Sequence, residues 1–439
     1  MDWTHVRYSN MTAGQRDRYE NYIRTRRSRP TARYPGDWMG GRLLGRGGNG
    51  IANLWVERGA YGRIVDRVVV KDIQMAPADY ADDDNYMMDR RKREPREYFI
   101  AKILRSVMPR QHIVRARNYQ LSSQRDAWRL YLEFCDHQDI DDLIRRHRNA
   151  HRPRAIPETF IWWVFESLAI AACDMDAPPN LDPARGDPPN SQVIHQDLKT
   201  GNVFLGAANA TEFRTYPEPK LGDFGSGRLT NPLAARADNP RWPRLKDAHT
   251  EGYDPPELFD RRYNPGVFAR RGRQAQQLLS TTWVRLLSHT NNWQIARVML
   301  AMMRLETRPP QIDYYVVPRP TPAGATVAVW PMPFSAIGAD PWVPDVDAIG
   351  PGPVNIDVAA TYSQALRNLV NDCLQANPAH RPTPAALRAA CTAAIAADPN
   401  VNAVRHRAMP FPSNHRDRVV GKYSRRDNIF AMGRLARNV

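Results

Sequence analysis

The stretch Val193-Ile194-His195-Gln196-Asp197-Leu198-Lys199-Thr200-Gly201-Asn202-Val203-Phe204 constrains this chain more than any other. Apolar residues flank a short loop in which a carboxylate, an ammonium and an amide stand at fixed offsets. In-line phosphoryl transfer needs such a set. Asp197 can accept the proton of an attacking hydroxyl, Lys199 can neutralise phosphate oxygens, and Asn202 can hold a metal ion. Twenty-one positions after Asn202, Leu221-Gly222-Asp223-Phe224-Gly225 supplies Asp223 as a second metal-ligating group.

Upstream, Leu44-Gly45-Arg46-Gly47-Gly48-Asn49-Gly50 puts Gly45, Gly47 and Gly50 at the spacing of a phosphate-binding loop. Glycine lets the backbone approach phosphates closely, although such a pattern alone is weak. Ile64-Val65 and Val68-Val69-Val70-Lys71-Asp72-Ile73 follow and read as β-rich sequence. Period-two alternation puts Val69, Lys71 and Ile73 on one face. A lysine among valines is also what an edge strand uses against unwanted pairing. The order of the elements decides the matter: glycine loop, lysine, acidic loop, second carboxylate. From about Leu43 to Thr383 the chain resembles a eukaryotic-type protein kinase of the serine/threonine kind.

The resemblance implies an α+β, bilobal protein kinase fold: a small β-rich N-lobe with one regulatory helix, and a larger, mainly α-helical C-lobe. It implies ATP and Mg2+ as cofactors. Lys71 would grip the α- and β-phosphates and pair with a glutamate on the first long helix. Of the candidates in Arg93-Glu94-Pro95-Arg96-Glu97, Glu97 shares a helical face with Ile100 and Leu104 and fits the family spacing better than Glu94. A surface glutamate in a charge-rich helix is the plainer alternative. Pro95 would start or kink that helix. Leu132 matches the gatekeeper, and Glu133 and Cys135 match the hinge residues whose backbones meet adenine. Asp139 matches the acidic position that meets the ribose. Ala52 and Val69 match the two side chains over the adenine, with their usual sizes exchanged, a swap that keeps the pocket's filling.

The distal motifs extend the likeness. Thr250-Glu251-Gly252-Tyr253-Asp254-Pro255-Pro256-Glu257 matches the end of an activation segment, with proline at 255 in place of alanine. Arg381, within Asn377-Pro378-Ala379-His380-Arg381-Pro382, matches the buried partner of the residue at Glu257. Small-molecule phosphotransferases share a Gly-Asn pair like Gly201-Asn202 but lack this ending. Lys199 and Thr250 accompany serine/threonine specificity. Gln196 stands where an arginine pairs with an activation-loop phosphate, which a neutral amide cannot do. Activity is therefore expected to survive phosphatase treatment. Loss of activity, restored by phosphorylating that loop, would contradict this. Asn291 replaces the aspartate that anchors the catalytic loop, and the amide is expected to bond a backbone N–H more weakly. The glycine-loop context, Gly47-Gly48-Asn49-Gly50-Ile51-Ala52 before Leu54-Trp55, points to a divergent fungal member. Asn291, Pro255 and the choice at Glu97 keep open a pseudokinase scaffold or adaptor as the alternative.

The 439 residues suffice for residues 39–135 as N-lobe and 136–396 as C-lobe, with insertions near 177–190, 258–289 and 309–353. Residues 1–38 and 397–439 form basic extensions. Of the net charge of +16, the last 39 residues carry nine Lys or Arg against two Asp, and the first 35 carry eight against three acidic groups. Such tails suit nucleic acid, acidic membrane surfaces or acidic proteins, or simply form solvated flanks. The expected partners are protein substrates bearing Ser or Thr. Cys135, Cys173, Cys373 and Cys391 lack zinc-site spacing. The longest apolar stretch, Ile161 to Cys173, is interrupted by Glu166 and too short to span a bilayer. With no amino-terminal apolar run, an intracellular protein, cytoplasmic or nuclear, is expected.

Overall fold

The structure, a computed structural model, describes residues 36–47, 50–60, 63–87, 93–105, 112–151, 154–209, 211–233, 250–255, 287–309, 356–375 and 381–409, with a few short pieces elsewhere. Most of the insertions at 258–289 and 309–353, the extension over 1–38, and Glu257 lie outside the described residues. The chain divides into two compact units. One comprises Met1–Lys102, Val114–Asp136 and Lys422–Val439, and the other Ile103–Ile113 and His137–Gly421. The first is built on a β-sheet and the second mainly on helices, so the α+β, two-lobed architecture expected of a kinase is present.

In the first unit, β1 (Trp38–Gly47), β2 (Gly50–Arg58) and β3 (Arg63–Gln74) form an antiparallel meander. Then come a short helix α1 (Pro77–Ala81), a two-residue pairing of β4 (Tyr86–Met87) with β5 (Glu94–Pro95), and helix α2 (Arg96–Ile103). Strands β6 (Ala116–Ser122) and β7 (Ala127–Leu132) complete the sheet, in the order β1-β2-β3-β7-β6. The alternation foreseen in β3 sorts its side chains to two faces. Val68 and Val70 join Trp38, Trp55 and Tyr131 in one apolar cluster. Ile73 joins Tyr86, Trp128 and Leu130 in another, with Tyr98 of α2 against it. Each face thus buries its own set, and Lys71 goes to the face that α2 packs on.

Two apolar helices centre the second unit. Helix α4 (Glu158–Asp176) follows α3 (Ile140–Arg148) and is buried on all sides, as a helix without a polar face must be. It packs against α5 (Ser288–Arg304) and α8 (Pro384–Ala397). Short α6 (Val358–Thr361), α7 (Gln364–Cys373) and α9 (Pro399–Arg405) complete the set. The folded part continues past 397, because α9 buries Val401 and Val404. Among the described residues no helix is long and apolar enough to cross a membrane.

Four short strands carry the loops of interest. β8 (Gln192–Ile194) pairs with β11 (Arg228–Thr230), and β9 (Val203–Ala208) with β10 (Pro217–Leu221). The pairs are nested in sequence. Val203 meets Leu221 and Ile194 meets Arg228, which brings the loops 195–202 and 222–227 side by side.

Candidate active site

His195 begins the first loop, is fully buried, and directs Nε2–H to the carbonyl of Gly222 at 3.0 Å. Burial lowers its affinity for a proton, and the neutral ring keeps this donor. The N–H of Gly222 donates to the carbonyl of Asn202 at 3.0 Å, so both ends of the acidic loop are stitched to the second motif. The backbone is left-handed at Gln196 (φ 67°) and Asp223 (φ 60°). For residues with a β-carbon such conformations cost about 1–3 kcal/mol, and they cluster where side chains must be aimed.

Asp197 is buried, and its carboxylate is fixed from two sides. Oδ2 accepts from Lys199 Nζ at 2.8 Å, and Oδ1 accepts from Thr250 Oγ1 at 2.6 Å. Lys199 Nζ also donates to Thr250 Oγ1 at 2.7 Å, closing a triangle. Asn202 Nδ2 donates to the Asp197 carbonyl at 2.7 Å. That bond turns the amide oxygen of Asn202 away as an acceptor. An amide oxygen and the Asp223 carboxylate are hard donors of the kind magnesium takes alongside phosphate oxygens. No cluster of three or more His, Cys, Asp or Glu suited to a metal occurs among the described residues.

Helix α5 supports the loop from behind. Asn291 is fully buried, its Oδ1 accepting from the His195 N–H at 3.0 Å and its Nδ2 donating to the Val193 carbonyl at 2.8 Å. The expected bond to a backbone N–H is present, and a second bond accompanies it. An amide both accepts and donates, and the aspartate usual here could not serve the carbonyl. Gln294, one turn on, donates to the carbonyls of Gln196 (2.8 Å) and Tyr253 (3.1 Å), and Arg297 donates to that of Gly252 at 2.8 Å. Thr200 Oγ1 bonds the Tyr253 hydroxyl at 2.8 Å and also donates to Asp141. Gln294 and Thr200, both neutral, thus tie Tyr253 to the acidic loop, and the Arg297 guanidinium holds the neighbouring Gly252. Sequence reasoning missed Gln294, Arg297, Thr200 and Asp141. The only signal for Gln294 and Arg297 was their spacing by single turns from Asn291 on one helix, and Thr200 and Asp141 had none of that kind. The Gln196 side chain is buried, and neither of its amide atoms has a hydrogen-bond partner among the described residues.

Asp254, also missed, is buried near Asp197. Burial first, then the Asp197 and Glu251 carboxylates, push its pKa from 3.8 up to about 7, against the pull of Arg297. Between these values the folded chain holds a proton that the unfolded chain has released, so stability falls as pH rises through that window. Asp254→Asn is expected to gain stability over wild type as pH rises from about 5 to about 8, read from unfolding midpoints. A gap that does not change with pH would contradict this.

In the first unit, Lys71 Nζ lies 2.6 Å from Glu97 Oε1, both side chains buried. Glu97 rather than Glu94 is the partner, since Glu94 pairs with Lys102 instead. Pro95 stands just before α2 and does not kink it. Gly50 has φ +121°, and a β-carbon there would come within 2.5 Å of the Asp72 carbonyl, so the sheet itself requires glycine. At Gly45 and Gly47 a β-carbon would meet nothing within 4 Å. The sheet does not demand glycine at those two positions, which leaves room for a phosphate to approach. Ala52 stands opposite Lys71, and Val69 opposite Leu54, on one face of the sheet. Leu132 pairs with Val69, and Glu133 exchanges bonds with the backbone of Arg115. Cys135 is buried. In the second unit, Asp139 caps α3 by accepting from the Asp142 N–H at 2.8 Å, and burial raises its pKa to about 6. Arg381 is buried and donates to the carbonyls of Gln375 and His289.

These two units, with the Lys–Glu pair in one and the paired loops in the other, define a protein-kinase fold. Sequence comparison agrees. The chain is 29% identical over 122 residues to the G2-specific protein kinase fin1 of Schizosaccharomyces pombe, covering 27% of this chain and 16% of that protein. It is 32% identical over 113 residues to the G2-specific protein kinase nim-1 of Neurospora crassa (23% and 12%). The G2-specific protein kinase nimA of Emericella nidulans matches at 28% over 123 residues (25% and 16%). The matched part is thus less than a fifth of each relative. No family model matches the chain. The solved kinase domain of Mycobacterium tuberculosis PknI aligns with 81% of this chain and 95% of its own, at 15% identity and a TM-score of 0.41. The chain thus has the fold of a protein kinase and, over about a quarter of its length, is similar in sequence to fungal protein kinases.

Proposed function

We propose that this chain transfers the γ-phosphoryl group of ATP to serine and threonine hydroxyls of protein substrates. The observation that carries the reading is the triangle of Asp197, Lys199 and Thr250. One Asp197 oxygen is oriented by an ammonium and the other by a hydroxyl, which aims the carboxylate at an incoming alcohol as a proton acceptor. Lys199 remains beside it to offset charge on the transferred group. Magnesium bound with ATP would supply charge neutralisation at the phosphates, with Asn202 and Asp223 as its protein ligands. Lys71, held by Glu97, would take the α- and β-phosphates, and Gly45, Gly47 and Gly50 would let the backbone approach them closely. Phosphoamino-acid analysis of a basic protein labelled by the chain is expected to give phosphoserine and phosphothreonine. Phosphotyrosine as the main product would contradict the serine/threonine assignment.

Ala52 and Val69 lie diagonally on one sheet face, which supports the volume exchange over adenine. Overfilling a packed site costs about 1–3 kcal/mol, so Ala52→Val should weaken ATP binding by about tenfold. Adding Val69→Ala should restore it in an ATP titration. A double variant no better than the single one would sink the idea.

A further inference from the structure

Between β3 and α2 the chain does not cross directly; it folds. Tyr80 of α1 and Tyr86 of β4 meet edge to face with ring centroids 6.0 Å apart, and Tyr86 meets Trp128 of β7 in the same way at 5.4 Å. Arg93 closes the stack, its guanidinium carbon 3.9 Å from the centre of the Tyr86 ring and 5.4 Å from that of Tyr80. The Tyr80 carbonyl accepts from the Tyr86 hydroxyl at 2.9 Å and from Arg93 Nη2 at 2.8 Å. A cation between two aromatic faces, tied to a shared acceptor, makes a compact knot. The knot is fastened to the sheet, because Tyr86 and Trp128 share a buried cluster with Ile73 and Leu130.

Its other end leads into α2. Tyr86 pairs with Pro95 and Met87 with Glu94, and the helix starts at the next residue. Glu94 reaches forward to Lys102, and Arg96 Nη2 donates to Asn85 Oδ1 at 3.4 Å. Arg93 therefore stands four positions before Glu97, at the junction that fixes where the helix begins.

We propose that Arg93 is a positioning residue: by locking this hairpin onto the sheet, it sets the start of α2 and so holds Glu97 on Lys71. The contacts that place the start of the helix come from within its own unit. The functional weight of that pair rests on the kinase reading, but the mechanical claim does not.

Hydrogen exchange on the full chain tests it. Arg93→Met keeps an unbranched apolar stem and removes the cation; exchange across residues 96–103 should speed up about tenfold, with peptides of α4 unchanged. Arg93→Lys, which retains a cation over the rings, should stay within about threefold of wild type. Unchanged exchange in α2 of Arg93→Met overturns the proposal, as does equal acceleration in α4. In phosphotransfer, Arg93→Met should raise the KM for ATP about tenfold in wild type but add less than about twofold in a Glu97→Gln background. Fully multiplicative losses would overturn the route through Glu97. A wild-type chain that transfers no phosphate defeats the kinase reading, and the exchange result still decides the role of Arg93.

Discussion

Asp197→Asn is expected to lower phosphotransfer by about 10²–10⁴-fold, the usual contribution of a positioned general base, while leaving the fold intact. The substitution keeps size and burial, so the apolar core around Leu198 and Phe224 is untouched. What changes is chemistry. An amide cannot take the hydroxyl proton, and whichever way it turns, its NH2 faces either Lys199 or Thr250, where an oxygen now accepts. A near-normal unfolding midpoint with transfer at background is the predicted pair of readings. Activity within about tenfold of wild type would mean that Asp197 does not act as the base.

The second large effect is on stability. Glu166 sits in the middle of α4, almost wholly buried, where one oxygen accepts from Thr392 at 2.9 Å and faces Arg405 at 3.4 Å. Arg405, on α9, also bonds Glu212 at 2.8 Å. Removing one partner of a buried pair strands the other charge, at a cost of about 3–5 kcal/mol. Arg405→Met should therefore lose about that much in denaturant unfolding, and adding Glu166→Gln should return part of it. A loss below about 1 kcal/mol would contradict this.

Both cases bear on what the sequence made legible. Lys71, Asp197, Asn202 and Asp223 could be read because phosphoryl transfer dictates residue types at short, fixed offsets. Glu97 could be read because helical spacing put it on the face of Ile100 and Leu104. Glu166 was visible only as a break in an apolar run, since its partner lies 239 positions away. Gln294, Arg297 and Thr200 were illegible for the same reason: buried polar groups that serve distant backbone look like surface residues until the fold brings their acceptors close. Asp139 had a local signal that went unused. An aspartate just before Ile140-Asp141-Asp142 is a helix N-cap pattern, and the cap bond is what its side chain makes. The hairpin around Arg93 left no trace, because stacking among Tyr80, Tyr86 and Trp128 joins segments with no shared periodicity.

The most direct test of the account is transfer of labelled γ-phosphate from Mg-ATP to a generic basic protein by the wild-type chain. The account predicts labelled serine and threonine, lost when magnesium is chelated and lost in Lys71→Met. No transfer by folded wild-type protein, with no thermal shift on adding Mg-ATP, would contradict it and leave a kinase fold serving as a scaffold.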